Sequence, residues 1–426
     1  MEIEKLYDFF KRYPLISTDT RNIKKDSIFF ALKGVSFDGN TFAKLAIESG
    51  AKYAVISDKA FQENEEEYIL VPDTLVALQE LAKYHRNQLT IPVIGITGSN
   101  GKTTTKELIK SVLLQKFKTF ATFGNLNNHI GVALSLLEIT KEHEIAIIEM
   151  GANHLKEIEF LSNICTPDYG LITNIGKAHL EGFGSLDGVE KAKTELFQNL
   201  ISRSKKAFIN LDDSRLQAYV SRVANVTYGK ENADCIGELL GGSSFLRLKF
   251  SCGENKEIIN SNLIGTYNFN NILAAITIGN YFGLTPKEIK EGVENYVPTN
   301  NRSQIMEKKS NKIILDAYNA NPSSMKEAIS NLIVTKSEKK YFVLGDMLEM
   351  GKESEKEHRE VVSQLEKNNL NGVLVGKEFC KIKSYFKTFE TTKEAIEFIS
   401  NKKFENTLIL IKGSRGIKLE SILDVI

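Results

Sequence analysis

The chain has little of what would tie it to a membrane, a disulfide framework or a nucleic acid. Its 426 residues include only four cysteines, Cys165, Cys235, Cys252 and Cys380, far apart and without a CxxC pair. That spacing argues against a zinc site or a disulfide scaffold, so free thiols in a cytoplasmic protein are expected. Net charge is almost absent: 55 Lys and Arg against 54 Asp and Glu leave +1. No global field favours nucleic acid or an anionic surface, and no nucleic-acid partner is expected. No run approaches the ~20 apolar residues of a membrane span. The opening MEIEKLYDFF lacks the basic segment and long apolar core of a secretion signal. Low-complexity tracts, short-period repeats and a guanine-reading Asn/Thr-Lys-x-Asp motif are missing too.

What is present is ordinary for a globular protein, with 42% apolar and 26% charged residues. At ~150 residues per domain the length suggests three domains, and a monomer is expected. The fold class is α/β. A small α/β N-terminal domain spans 1–89, with strands in DSIFFAL and KYAVIS and a helix over TLVALQELAKYHRNQ. A central domain spans 90–298. Its strands EIAIIEM, YGLITNI and KAFINLD alternate with helical patterns, which favours a mainly parallel sheet. The stretch 235–262 alternates like antiparallel strands. A Rossmann-like C-terminal domain spans 299–426, where KIILDAY, YFVLGDM, NGVLVGK and TLILIKG each precede a helix-like segment.

The strongest local signal is PVIGITGSNGKTTTKE, from Pro92 to Glu107. A β-branched strand runs into glycines at 95, 98 and 101 and then into a helix with an apolar stripe at Leu108, Ile109, Val112 and Leu113. Glycines let backbone N–H groups converge, and with the helix N-terminus they form a positive nest for phosphate. Gly98, Ser99, Asn100, Gly101, Lys102, Thr103 and Thr104 form that cradle in a P-loop. Lys102 reaches the terminal phosphates and the Thr103 hydroxyl suits Mg2+. The first glycine of the general GxxxxGK[ST] pattern is replaced by Ile96.

Other residues gain meaning from this neighbour. Glu149 ends a buried strand, where a carboxylate can hold Mg2+ or its water. His179 follows another strand end. Lys193, inside EKAKTEL, reads by itself as a solvated helix lysine. Asn125, Asn127 and Asn128 read locally as a turn and N-cap cluster, and Asn268 or Asn270 as another helix cap. Asp316 ends a strand where an acid can meet ribose hydroxyls.

Taken in order, GITGSNGKTTT, IIEMGAN, TNIGKAHLEGFGS with KAK, GTYNFNN, DAYNANPSSM and VLGDMLEMG resemble the Mur ligase family of peptidoglycan synthesis. STDTRNIKKDSIFFALKGVSFDGN resembles its UDP-substrate-binding N-terminal domain, so the likeness covers nearly the whole chain. The stretches GNLNNHIGVALSLL, NANPSSM and GDMLEMG point to the member that adds D-Ala-D-Ala to UDP-MurNAc-tripeptide. The resemblance implies ATP and Mg2+. ATP would convert the tripeptide carboxylate to an acyl phosphate, which the D-Ala-D-Ala amine attacks. It implies that Lys102, Glu149, His179 and Lys193 serve catalysis. Thr103 and Glu149 would hold one Mg2+, His179 would help with a second, and Lys193 would be the carbamylated lysine and a metal ligand. Asn271 falls at adenine, Arg302 and Asp316 at phosphate and ribose, and Asp19, Thr20 and Arg21 in the uridine-nucleotide motif. Asn125, Asn127 and Asn128 fall with the substrate contacts. Three positions depart from the family: Tyr267 for a frequent His, Ala133 for Pro and Thr20 for Ser. Arg302 and Asp316 stand in the third domain and the phosphates in the second, so closure about residues 297–303 is expected. Another ligase of the superfamily, a folylpolyglutamate synthetase included, or a P-loop binding module without ligase chemistry are the alternatives.

Overall fold

The apolar runs become the inner strands of three sheets in a computed structural model that describes residues 2–241, 245–299 and 301–426. The first sheet is four-stranded and wholly parallel, in the order β1 (Ile16–Ser17), β2 (Ile28–Phe30), β3 (Tyr53–Ile56) and β4 (Tyr68–Leu70). β2 and β3 are buried at every position, so they read as unbroken apolar runs without alternation.

The helix Thr74–Gln88 ties this sheet to the next block. Asp73 caps its start by accepting from the N–H groups of Leu75 and Val76. At its far end the buried Arg86 donates to the carbonyls of Cys165 and Thr166 and pairs with Asp168 at 2.7 Å. Arg86→Ala leaves the two carbonyls without this donor, while Lys205 still pairs with Asp168 at 2.7 Å, and is expected to cost about 2 kcal/mol. A urea midpoint equal to wild type would show that the pair holds nothing together.

The second sheet has nine strands. They are β5 (Val93–Thr97), β6 (Thr119–Ala121), β7 (Ile145–Glu149), β8 (Tyr169–Ile172), β9 (Lys206–Asn210), β10 (Ala224–Gly229), β11 (Cys235–Leu240), β12 (Arg247–Cys252) and β13 (Asn255–Asn260). Their order is β13-β12-β11-β10-β9-β8-β5-β7-β6, parallel except for the antiparallel pairs β11–β12 and β12–β13. β5 lies between β7 and β8, so the chain order reverses beside it. Open α/β sheets leave a crevice at the carboxyl ends of strands at such a point.

One expectation is corrected here. Cys235 and Cys252 stand directly opposite in the β11–β12 register and are joined by a disulfide. Only Cys165 and Cys380 are free thiols. A separation of 17 residues hides a pair that the hairpin brings face to face.

The third sheet orders β14 (Gln304–Lys308), β15 (Asn311–Asp316), β19 (Thr407–Lys412), β16 (Lys339–Gly345), β17 (Gly372–Val375) and β18 (Lys387–Phe389) from edge to edge. Only the β14–β15 pair is antiparallel. The edge strands β14 and β18 are only partly buried and carry no long apolar run, so the sequence does not announce them. β19 is followed by 3-10 turns at Arg415–Ile417 and Leu419–Val425, where a helix is expected from the pattern. The antiparallel stretch 235–262 and the hinge stretch 297–303 include residues 242–244 and 300, which lie outside the described residues. Among the described residues no helix is long and apolar enough to cross a membrane.

Candidate functional site

β5 ends at Thr97 and turns through Gly98 (φ +142°) and Gly101 (φ +76°) into the helix Lys102–Leu113. A Cβ on Gly98 would stand 2.0 Å from Thr173 Oγ1, and one on Gly101 2.7 Å from Asn271 Oδ1. Both glycines are therefore demanded by close approach as well as by backbone angle. Gly101, at the N-cap, supplies no side-chain cap, so the first-turn N–H groups are open to an anion. Asn100 ties the loop down. Its N–H donates to Asn174 Oδ1 at 3.1 Å, and its carbonyl accepts from Thr173 Oγ1 at 2.6 Å and Asn174 Nδ2 at 3.0 Å. The Lys102 ammonium folds back on the loop, donating to Gly98 O at 2.7 Å and Ser99 O at 3.4 Å. Burial draws its pKa down, the Glu149 carboxylate opposes this, and Arg302 adds to the lowering.

β7 delivers Glu149, 1% exposed, beside the P-loop helix. Its carboxylate accepts from Thr103 Oγ1 at 2.9 and 3.1 Å and from Asn127 Nδ2 at 2.8 Å. The wholly buried Lys106 ammonium stands 3.9 Å away and donates to the carbonyls of Thr122 (2.5 Å) and Gly124 (3.2 Å). A hydroxyl and an anionic carboxylate are hard oxygen donors and suit Mg2+, which usually completes its shell with water and phosphate oxygens. No group of three or more His, Cys, Asp or Glu side chains able to hold a metal occurs among the described residues.

Above these strand ends lies a cavity of about 860 Å³, lined by all three blocks. The N-terminal block gives Leu75 and Gln79; the third block gives Arg302, Asp316, Tyr318, Asn319, Asn321 and Lys412 among others. Arg302 stacks its guanidinium 3.7 Å from the Tyr318 ring centroid, and its Nε is buried without a partner. Asp316 and Lys412 are register partners at the ends of β15 and β19, joined at 2.5 Å. The second and third blocks touch directly across the cavity: Asn321 Nδ2 donates to Asn100 Oδ1 at 2.7 Å. Tyr267, at the departure from the family's histidine, shares a hydrogen bond of 2.8 Å with Ser303.

Of the residues singled out in the sequence, Ser99 to Thr104, Asn125, Asn127, Asn128, Glu149, His179, Asn271, Arg302 and Asp316 line this cavity. Gly98 supports the loop behind it. Asn128 also caps locally, accepting from the N–H groups of Ile130 and Gly131. Asn268 sits at an N-cap but caps nothing with its side chain, which accepts from Asn271 Nδ2 at 2.8 Å. Asp19, Thr20 and Arg21 stand outside the cavity on a 3-10 turn of the first block, where Arg21 pairs with Asp19 at 2.6 Å.

Lys193 does not line the cavity either, and as a solvated lysine it is corrected. It is 0% exposed, its Nζ donates to Ala152 O at 3.0 Å, and it lies 5.1 Å from the Phe183 ring centroid. Burial first, then the Lys102 charge, drives its pKa well down against the pull of Glu157 and Glu195. Lys106, Lys412, Asn321 and Glu349 escape the sequence reading. Asn321 and Glu349 stand within the quoted DAYNANPSSM and VLGDMLEMG, whereas nothing in the sequence marks Lys106 or Lys412.

The comparisons agree with this architecture. The Mur ligase middle domain matches residues 96–279, the Mur ligase glutamate ligase domain matches 301–415, and the Mur ligase family catalytic domain matches 12–86. A UDP-N-acetylmuramoyl-tripeptide–D-alanyl-D-alanine ligase of Bacillus subtilis is 36% identical over 96% of this chain and 92% of its own. The crystal structure of MurF from Acinetobacter baumannii is similar with a TM-score of 0.88 and 31% identity, covering 96% of this chain and 92% of that one. MurF ligase from Thermotoga maritima in complex with ADP has a TM-score of 0.86 and 27% identity, covering 96% of both chains. With family matches in all three blocks and a relative aligned over nearly its full length, the chain belongs to the Mur ligase family.

Proposed function

We propose that the protein is an ATP-dependent carboxylate–amine ligase that adds D-Ala-D-Ala to UDP-MurNAc-tripeptide in peptidoglycan precursor synthesis. The observation that carries this is the single cavity in which the P-loop and Glu149 of one block face Arg302, Asp316 and Lys412 of another. The names of the relatives supply the substrates. We read three domains, 1–89 for the UDP-substrate, 90–298 for ATP and 299–426 closing over both. The sheets at 16–70, 93–260 and 304–412 support that division. We read the protein as a monomer, and its nucleotide substrates support a cytoplasmic location.

A carboxylate attacking a triphosphate meets anion–anion repulsion, so the site must neutralise charge that grows on the γ-phosphate. Lys102 exchanges its loop carbonyls for phosphate oxygens, and the first-turn N–H groups hold the chain of phosphates in place. Asn271 reaches the adenine side, and Asp316 with Arg302 the ribose and phosphates. Thr103 and Glu149 would hold Mg2+, which supplies Lewis-acid neutralisation of the phosphates. The γ-phosphoryl group passes to the tripeptide carboxylate, leaving ADP. The D-Ala-D-Ala amine then attacks the acyl carbon, and phosphate departs as the amide forms. Asn125, Asn127 and Asn128 orient the peptide end, while Asp19, Thr20 and Arg21 anchor uridine outside the cavity. An extended nucleotide-sugar peptide is long enough to need both ends held.

ADP release measured with UDP-MurNAc-tripeptide tests this. Release is expected with D-Ala-D-Ala and not with meso-diaminopimelate or L-lysine as acceptor. Equal release with diaminopimelate would move the chain to an earlier step, and none with any acceptor would leave a binding module.

A further inference from the structure

The segment after β8 crosses toward the third block, which clasps it at several points. The Lys177 N–H donates to Ser323 Oγ at 3.0 Å, and the Lys177 ammonium pairs with Glu357 at 2.6 Å. The Glu181 N–H donates to the Glu349 carbonyl at 3.2 Å. The Glu349 carboxylate in turn accepts from Nδ1 of His179. His179 and Glu349 both have left-handed backbones, with φ of 51° and 63°. That is uncommon for residues with a Cβ and persists where the surroundings impose it. Here each loop forms part of the other's surroundings.

We infer that Glu349 is a positioning residue for His179, and that it acts only when the third block is docked. An anionic carboxylate cannot donate, so this bond needs the proton on Nδ1, and in the neutral ring Nε2 is then the nitrogen with the free lone pair. A histidine that serves a metal is normally oriented by such a carboxylate on its other nitrogen. His179 lines the cavity with the P-loop and Glu149. Glu349 belongs to the third block, so domain docking and completion of the second metal position become one event. An arrangement that separates the two blocks would break this contact and leave the ring free to take either tautomer. The inference rests on the ligase reading of the site.

Mn2+ binding to the full-length protein with ADP, followed by calorimetry, tests it. Glu349→Ala and His179→Ala are each expected to weaken Mn2+ binding about 10- to 100-fold. Lys177→Ala breaks the neighbouring clasp without touching His179 and is expected to stay close to wild type. Unchanged Mn2+ binding in Glu349→Ala would overturn the role. So would a loss in Lys177→Ala as large as in Glu349→Ala, since docking alone would then explain the effect. Nitrogen NMR of histidine-labelled wild type with ADP and Mg2+ needs no alanine at 349. A His179 ring protonated on Nδ1 supports the assignment, and one protonated on Nε2 refutes it. Wild type that binds Mn2+ no better with ADP than without it would instead sink the ligase reading, and this inference with it.

Discussion

Lys102→Ala is expected to lower the rate of ADP formation by about 10³-fold or more while leaving the fold in place. The lysine follows Gly101 at the first position of the P-loop helix, and its ammonium now rests on two loop carbonyls. Those carbonyls gain little from it: the net contribution of such hydrogen bonds to stability is about 1 kcal/mol. Its value in catalysis is larger. Burial and Arg302 both oppose the charged form, and Glu149 favours it. An incoming triphosphate reverses that balance, because the ammonium then meets several phosphate oxygens in a site poor in water. Charge that grows on the transferring phosphoryl group strengthens the contact in the transition state, so the loss falls on kcat. Lys102→Arg keeps the charge but carries a planar fork in place of a compact ammonium and should recover only part of the rate. Near-normal turnover in Lys102→Ala would remove the P-loop from the mechanism. An unfolded variant is recognised by its melting curve.

What can be read from the sequence here is what is contiguous. Strand, glycine turn and helix lie within Pro92 to Glu107, so the phosphate cradle is legible in the order of residues alone. Glu149 is legible because a run of buried strand residues ends on it. The β11–β12–β13 alternation is legible for the same local reason. Pairings that depend on strand order are not. Lys412 meets Asp316 across 96 residues because β19 inserts between β15 and β16. Asn100 and Asn321 are 221 apart, and His179 and Glu349 are 170 apart. The disulfide belongs to the same class, since register places its two cysteines opposite each other. Lys106 fails differently. A lysine between Thr105 and Glu107 in a helix reads as solvated, yet two loop carbonyls hold it at 0% exposure. Burial of a charge is decided by its partners, and these stand on the loop after β6.

Lys193 is expected to carry a carbamate in the active enzyme. Reaction with CO₂ needs a neutral amine, and this one is fully buried with a pKa driven well down by burial and by Lys102. Its Nζ donates to the Ala152 carbonyl at 3.0 Å. A carbamate nitrogen keeps one N–H and so can keep this bond to Ala152, a residue that lines the cavity. The product is an anionic oxygen donor, the kind of ligand Mg2+ takes, in place of a cation that repels it. Stripping bicarbonate from the wild type is therefore expected to abolish most activity, and adding it back to restore it. Carbon NMR with labelled bicarbonate should show one carbamate signal that Lys193→Ala lacks. That variant should lose about 10²-fold or more of the rate, the scale of one lost charge-stabilising group. A small added carboxylic acid should restore part of it by standing in for the carbamate oxygens. Lys193→Arg keeps the positive charge but cannot form the ligand, so it should be as inactive as alanine. An arginine variant near the wild-type rate, or wild type indifferent to bicarbonate, would return Lys193 to a buried structural amine.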